Sequence, residues 1–260
     1  MTRSIRIVKI GGNVVNNPDA LASFLADFVK LPGQKILVHG GGREATRLSA
    51  ALGIETTMIN GRRVTDRETL DVVTMVYAGL VNKRIVAALQ ALGCDAIGLS
   101  GADADVIRAT RRPATPVDFG YVGDIDDEDV AESVLAMLLR NGLTPVFCAI
   151  THDRQGQLLN CNADSVAAAV ACAASRIHPA SLIYCFEKPG VLSDADDDNS
   201  VISLITPENY ASLRESGAVS GGMIPKIDNA LSAISRGVKS VTIKSAADLL
   251  EPTAGTVIKA

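Results

Sequence analysis

A chain of 260 residues lies near the upper limit of what one hydrophobic core covers, so one large α/β domain, or two lobes sharing a sheet, is expected. Aromatic residues make up 3% with no Trp, and the formal net charge is −4; this leaves no stacking platform for single-stranded nucleic acid and argues against nucleic acid or an anionic membrane as a partner. The five cysteines are odd in number and include no C-x-x-C pair, which reads as free buried thiols in a reducing compartment. With no signal-peptide-like stretch at the N-terminus and no continuous run of about 18 apolar residues, a soluble cytoplasmic protein is expected.

Ile5–Ile10 reads as a buried strand that carries Lys9 at its tip and gives way to Gly11-Gly12. Asn17 is a candidate cap for a helix with Pro18 in its first turn and Leu21, Phe24, Leu25, Phe28 and Val29 on one face. Residues 35–39 predict a second buried strand, and Gly40-Gly41-Gly42 leads into a helix over 43–52. Strand, helix, strand, helix with short turns means parallel β/α units. Thr65-Asp66-Arg67-Glu68 has the form of a capping box and opens a helix reaching Leu92, about 40 Å long. It is apolar enough to serve equally as core packing or as a subunit contact.

A short strand is expected at 96–99, a loop with a hairpin around Tyr121-Val122 in 111–129, a helix at 130–141 and a buried strand at 144–150. A small-residue helix at 164–175 and a strand at 181–186 follow. The Asp-rich stretch 193–199 reads as a solvated turn, because it lacks the glycine and distal Glu of a calcium loop. Helices at 206–216 and 225–236 and strands at 241–244 and 256–259 complete the chain.

Three glycine turns stand out, at Gly11-Gly12, Gly40-Gly41-Gly42 and Gly221-Gly222. Each is compatible with a tight connection or with close backbone approach to an anion at a helix N-terminus. Gly40-x-Gly42-x-x-Ala45 mimics a dinucleotide fingerprint, but no acidic residue lies near position 60, and no G-x-x-x-x-G-K-[ST] occurs. Lys9 and Lys226 both abut glycine turns. Lys226 falls in the first turn of a helix, where a cation opposes the helix dipole unless an anion is bound there. Asn160, Asn162 and Asp164 precede the small-residue helix; Asn162 or Asp164 is its cap, and an Asp near two lysines would keep them charged. Arg62 or Arg63 is a candidate clamp for a carboxylate. The three histidines form no zinc pattern, and no Ser/His/Asp or Cys/His set is apparent. Cations beside glycine turns, with no nucleophile, point to phosphoryl transfer.

The segments KIGGNVV, VHGGG, NGRRVT, NCNAD, GVLSD and GGMIPK, in that order from Lys9 to Lys226, resemble the amino-acid kinase superfamily and, within it, the N-acetylglutamate kinase family of arginine biosynthesis. The resemblance runs nearly end to end. It implies a three-layer αβα sandwich around a mainly parallel central sheet. Residues 1–163 would form a lobe for acylglutamate binding and dimerisation, and 164–260 a lobe for ATP. The implied reaction is MgATP-dependent phosphorylation of the γ-carboxylate of N-acetylglutamate, with N-succinylglutamate, or the substrate of another superfamily kinase, as the alternative. Lys9 and Lys226 would stabilise the transferring phosphoryl group, and Asp164 would orient them. Gly41 and Gly42 amides would hold the substrate's side-chain end, and Arg63 and Asn160 its α-carboxylate. Gly12 would approach the ATP phosphates. Glu187, Lys188, Pro189, Gly190, Val191 and Leu192, with Ala218, Val219 and Ser220, would lie along the nucleotide. No metal ligand is implied beyond the Mg²⁺ that accompanies ATP. Lys188 departs from the family pattern by adding a charge. Nothing in the resemblance fixes the N-acyl group, for which Arg62, Arg108, Arg111 and Arg112 are the available cations. A chain starting at its first strand implies a homodimer without arginine feedback. A nucleotide sensor without catalysis and a dinucleotide oxidoreductase are the competing classes.

Overall fold

A computed structural model describes residues 4–126, 128–219 and 221–260. Its centre is an eight-stranded sheet. In chain order the strands are β1 Ile5–Ile10, β2 Gln34–His39, β3 Ala96–Leu99, β4 Thr144–Cys148, β5 Ala180–Phe186, β6 Leu204–Ile205, β7 Ser240–Ser245 and β8 Thr256–Ile258. The spatial order is β6-β8-β7-β5-β1-β2-β4-β3. Every pairing is parallel except β7 with β8. Burial on both faces shows in β4, buried at all five positions, and in the apolar stretches of β1 and β2.

The helices are α1 Gly12–Asn16, α2 Pro18–Lys30, α3 Gly42–Ala51, α4 Arg67–Ala91, α5 Glu132–Arg140, α6 Ala163–Ser175, α7 Pro207–Glu215 and α8 Ile224–Ser235. Helices α5, α6 and α8 pack on one face of the sheet and α2, α3 and α4 on the other, which is the expected three-layer sandwich. Asn17 caps α2 by accepting from the amides of Asp19 and Ala20. From Val166 to Ala174, α6 is buried at every position, so alanines let its backbone settle close on β1 and β5. Helix α4 is long and apolar enough to cross a membrane by composition, and Leu70, Val73, Val76, Ile85 and Leu89 along it are buried in the core.

Several local expectations change. The cap of α4 is Asp66, whose carboxylate accepts from the Thr69 amide at 2.8 Å; Thr65 is instead buried, and its hydroxyl donates to the Arg63 carbonyl. The middle of α4, Met75–Val81, winds as a π-helix, a form with no simple periodicity to betray it. The expected strand at 144–150 divides: Thr144–Cys148 stays in the sheet, and Ile150–His152 turns away to pair antiparallel with Leu158–Asn160. The glycine turn at residue 12 opens a single helical turn of its own. A hairpin is present, but it pairs Thr110–Arg111 with Gly123–Asp124, and Tyr121-Val122, expected as strand, precede its second strand. Gly120 there has φ +72°, and a Cβ on it would stand 2.1 Å from the Thr65 carbonyl, so the hairpin lies directly against the start of α4.

Candidate active site

Strand order reverses at β1, with β2 on one side and β5 on the other; in open α/β sheets a ligand crevice forms at the carboxyl ends of strands at such a point. A cavity of about 610 Å³ opens there. Its walls are Lys9 and the Gly11-Gly12 turn after β1, Gly40 to Arg43 after β2, Phe186 and Glu187 ending β5, Ala163 and Asp164 opening α6, and Lys226 in α8.

Lys9 is 8% exposed and projects from β1 toward α6, where its Nζ lies 2.8 Å from Oδ1 of Asp164. That carboxylate is free to pair because Asn162 takes the capping role, accepting from the amides of Asp164 and Ser165. Tyr184, beside Lys9 in the β1–β5 register, donates its hydroxyl to the Asp164 carbonyl and fixes the first turn of α6. Lys226 reaches the same cavity from the start of α8. Its Nζ stands 3.7 Å from the centroid of the Phe186 ring, and Lys9 Nζ stands 4.8 Å from the same centroid. The two ammonium groups therefore share one aromatic ring, an attraction worth about 0.5–2 kcal/mol for each cation. Burial lowers the Lys226 pKa, Asp164 opposes that, and the positive charge of Lys9 adds to it. Among the described residues Lys226 makes no ion pair, so the Asp164 carboxylate pairs with Lys9 and not with Lys226.

The glycines divide by what surrounds them. A Cβ on Gly41 would meet the Tyr77 ring at 2.7 and 3.0 Å, whereas one on Gly12 would find nothing within 4 Å. One glycine is required by packing inside the protein, the other borders open space. Arg63 is as buried as Lys9. It donates from Nη2 to the Gly42 carbonyl and to Thr46 Oγ1, and from Nη1 to Thr56 Oγ1. These bonds hold its guanidinium against the start of α3. A second cavity of about 170 Å³ shares the Gly40 to Gly42 wall and Arg63, and adds Tyr77, Arg62, Val122 and Asn160. The Asn160 Nδ2 donates to Thr65 Oγ1.

The structure thus gathers Lys9, Gly12, Gly41, Gly42, Arg63, Asp164, Glu187 and Lys226 around the larger cavity and Asn160 around the smaller one. Lys188, Pro189, Gly190, Val191, Leu192, Ala218 and Val219 line neither; Ser220 lies outside the described residues. Lys188 points to the Asp-rich turn and pairs with Asp198 at 2.8 Å. Of the four arginines considered for the acyl group, Arg108 pairs with Asp105, Arg112 with Asp124, and Arg111 donates to the Gly120 carbonyl; Arg62 lines the smaller cavity. Phe186 and Tyr77 escaped sequence reasoning. An aromatic at a strand end and one in a helix both read as core, and for Phe186 the available signal was its place one residue before Glu187.

Relatives share this chain at full length. The acetylglutamate kinase of Phocaeicola vulgatus is 53% identical over 259 residues, covering 100% of both chains. That of Methanopyrus kandleri is 39% identical over 98% of this chain and 100% of its own. Among solved structures, the Streptococcus mutans protein smu.665 superposes with a TM-score of 0.80 at 28% identity, covering 98% of each chain. Carbamate kinase from Giardia lamblia, bound to AMP-PNP, shares the fold with a TM-score of 0.66 at 15% identity over 99% of this chain and 98% of that one. The profile of the amino acid kinase family matches residues 4–245, a span that runs from β1 through β7 and takes in every side chain around the two cavities, and the chain belongs to that family.

Proposed function

We propose that the protein transfers the γ-phosphoryl group of MgATP to the side-chain carboxylate of N-acetyl-L-glutamate, a step of arginine biosynthesis. The observation that carries this is the pair of lysines, Lys9 and Lys226, converging over one ring beside the glycine turns. The relatives' shared name supplies the acceptor.

A carboxylate oxygen of the substrate attacks the γ-phosphorus, the bond to the β-phosphate oxygen breaks, and that electron pair leaves with ADP. The acceptor is already ionised at neutral pH, with a reference pKa of about 4.3, so the chain needs no general base. What it must do is bring an anion up to a polyanion. Lys9 and Lys226 stabilise charge on the three equatorial oxygens, and Asp164 keeps Lys9 in place. Mg²⁺ enters with ATP and neutralises part of the phosphate charge; no group of three or more His, Cys, Asp or Glu suited to hold a metal exists among the described residues. Gly12 approaches the phosphates, Gly41 and Gly42 amides receive the substrate carboxylate, and Arg63 with Asn160 binds its α-carboxylate. Residues up to 163 serve the acylglutamate and those from 164 the nucleotide, with Glu187 to Leu192, Ala218 and Val219 along it. The enzyme works in the cytoplasm as a homodimer, for which α4, with Met75 54% exposed, offers a contact.

The test is ADP release with N-acetylglutamate and MgATP, alongside trapping of the acyl phosphate by hydroxylamine. Turnover with formation of the hydroxamate supports the reading. ATP binding without turnover would leave a sensor and overturn it.

A further inference from the structure

His39 ends β2 immediately before the Gly40 turn, and its side chain is fully buried. Its Nε2 lies 3.0 Å from Nδ2 of Asn82 and its Nδ1 lies 2.7 Å from the carbonyl oxygen of Gly40. Which nitrogen carries the proton follows from Asn82, itself buried. Asn82 Oδ1 accepts from Nζ of Lys83 at 3.1 Å, and Nδ2 also donates to the Val146 carbonyl at 2.9 Å, so the amide orientation is set from both sides. An amide nitrogen can only donate. Nε2 of His39 must accept, its proton resides on Nδ1, and Nδ1 donates to Gly40. Burial pushes the ring's pKa down to about 4, with Lys83 acting in the same direction against the Gly40 bond, so the imidazole is neutral at working pH.

The peptide joining Gly40 to Gly41 is planar and trans, so its N–H points opposite to its carbonyl, away from the imidazole. Gly41 lines both cavities, and its amide has no acceptor among the described residues. Helix α4 holds this turn twice, through the Tyr77 ring against Gly41 and through Asn82 by way of His39. We infer that His39, held by Asn82 in one tautomer, is a positioning residue that aims the Gly41 N–H at the side-chain carboxylate of the acceptor. The inference rests on the kinase reading for the identity of that acceptor.

His39→Leu and His39→Asn separate this role from packing. Both remove the Nε2 acceptor and leave Asn82 Nδ2 only its bond to the Val146 carbonyl, but only Asn keeps an N–H where Nδ1 stood. In the full chain, His39→Leu should lower kcat/KM for N-acetylglutamate by about 10²-fold, the scale of one lost donor, with KM for MgATP unchanged. His39→Asn should recover most of that loss. Without substrate, the ¹⁵N–¹H resonance of Gly41 should shift in the Leu variant and return toward wild type in the Asn variant. Equal losses in both variants, a Leu variant near wild type, or an unmoved Gly41 resonance would overturn the inference. If the wild-type enzyme leaves N-acetylglutamate untouched, the kinase reading fails, while the resonance comparison still decides for or against His39.

Discussion

Lys9 and Lys226 come from distant parts of the chain and meet over one phenyl ring, where the proposed reaction uses both positive charges. Replacing either with Ala should lower kcat by about 10²-fold or more, on the scale of removing one preorganised charge from a transition state. Steady-state rates check this, and near-wild-type turnover would remove that lysine from its role. Burial holds the Lys226 pKa below the usual 10.5. In the proposed mechanism Lys226 acts in its protonated form, so activity should be present below its folded pKa and lost as pH rises through it. The alkaline limb of the kcat profile should therefore fall at lower pH than an exposed lysine would give. Lys9→Ala removes a neighbouring positive charge, and the Lys226 resonance followed by NMR should then titrate at higher pH. These lysines and Asp164 could be read from the sequence because their neighbours are glycines and a helix start. Phe186 was missed because a ring at a strand end reads as core, and its one local signal is its place just before Glu187.

At the scale of elements, the glycine turns differ in what a methyl group would meet. Gly41→Ala drives a Cβ into the Tyr77 ring and should lower both stability and activity. Gly12→Ala fits without contact, so its Tm should stay at the wild-type value. The same methyl stands in the space assigned to phosphate, and KM for MgATP should rise about tenfold or more, the equivalent of about 1.4 kcal/mol. Thermal melts with substrate kinetics on both variants check this, and an unchanged KM in Gly12→Ala would place ATP elsewhere. Seven of the eight sheet strands were legible as short apolar runs, while the two-residue β6, Leu204–Ile205, was not expected; α2 and α6 were legible through their caps and α8 through its apolar spacing. The cap of α4 was misassigned by one residue because Thr65 and Asp66 are both good capping types. Only tertiary contact decides between them: the hairpin at Gly120 covers Thr65 and leaves Asp66 to the helix. The π stretch was illegible because a π-helix leaves no distinct spacing of apolar residues in the sequence.

For the whole molecule, the expectation of free buried thiols is met by the structure. Cys148, Cys161 and Cys185 are buried and their pKa values are pushed up to about 12; Cys172 is also buried, while Cys94 is half-buried. The thiolate is the reactive form. Ellman's reagent at neutral pH should therefore titrate at most Cys94 in the native protein and all five thiols in urea. Rapid reaction of several thiols without denaturant would contradict the packed core.

Six residues of β1 pair in register with β5, from Ile5 with Ala180 to Ile10 with Cys185, at the boundary between the two proposed lobes. A ladder of that length is a stiff beam rather than a hinge, since bending it would break several hydrogen bonds at once. Any grip on the ligands must then come from parts above the strand tips, such as the start of α8 swinging Lys226. The floor of the crevice would stay still while its rim moves.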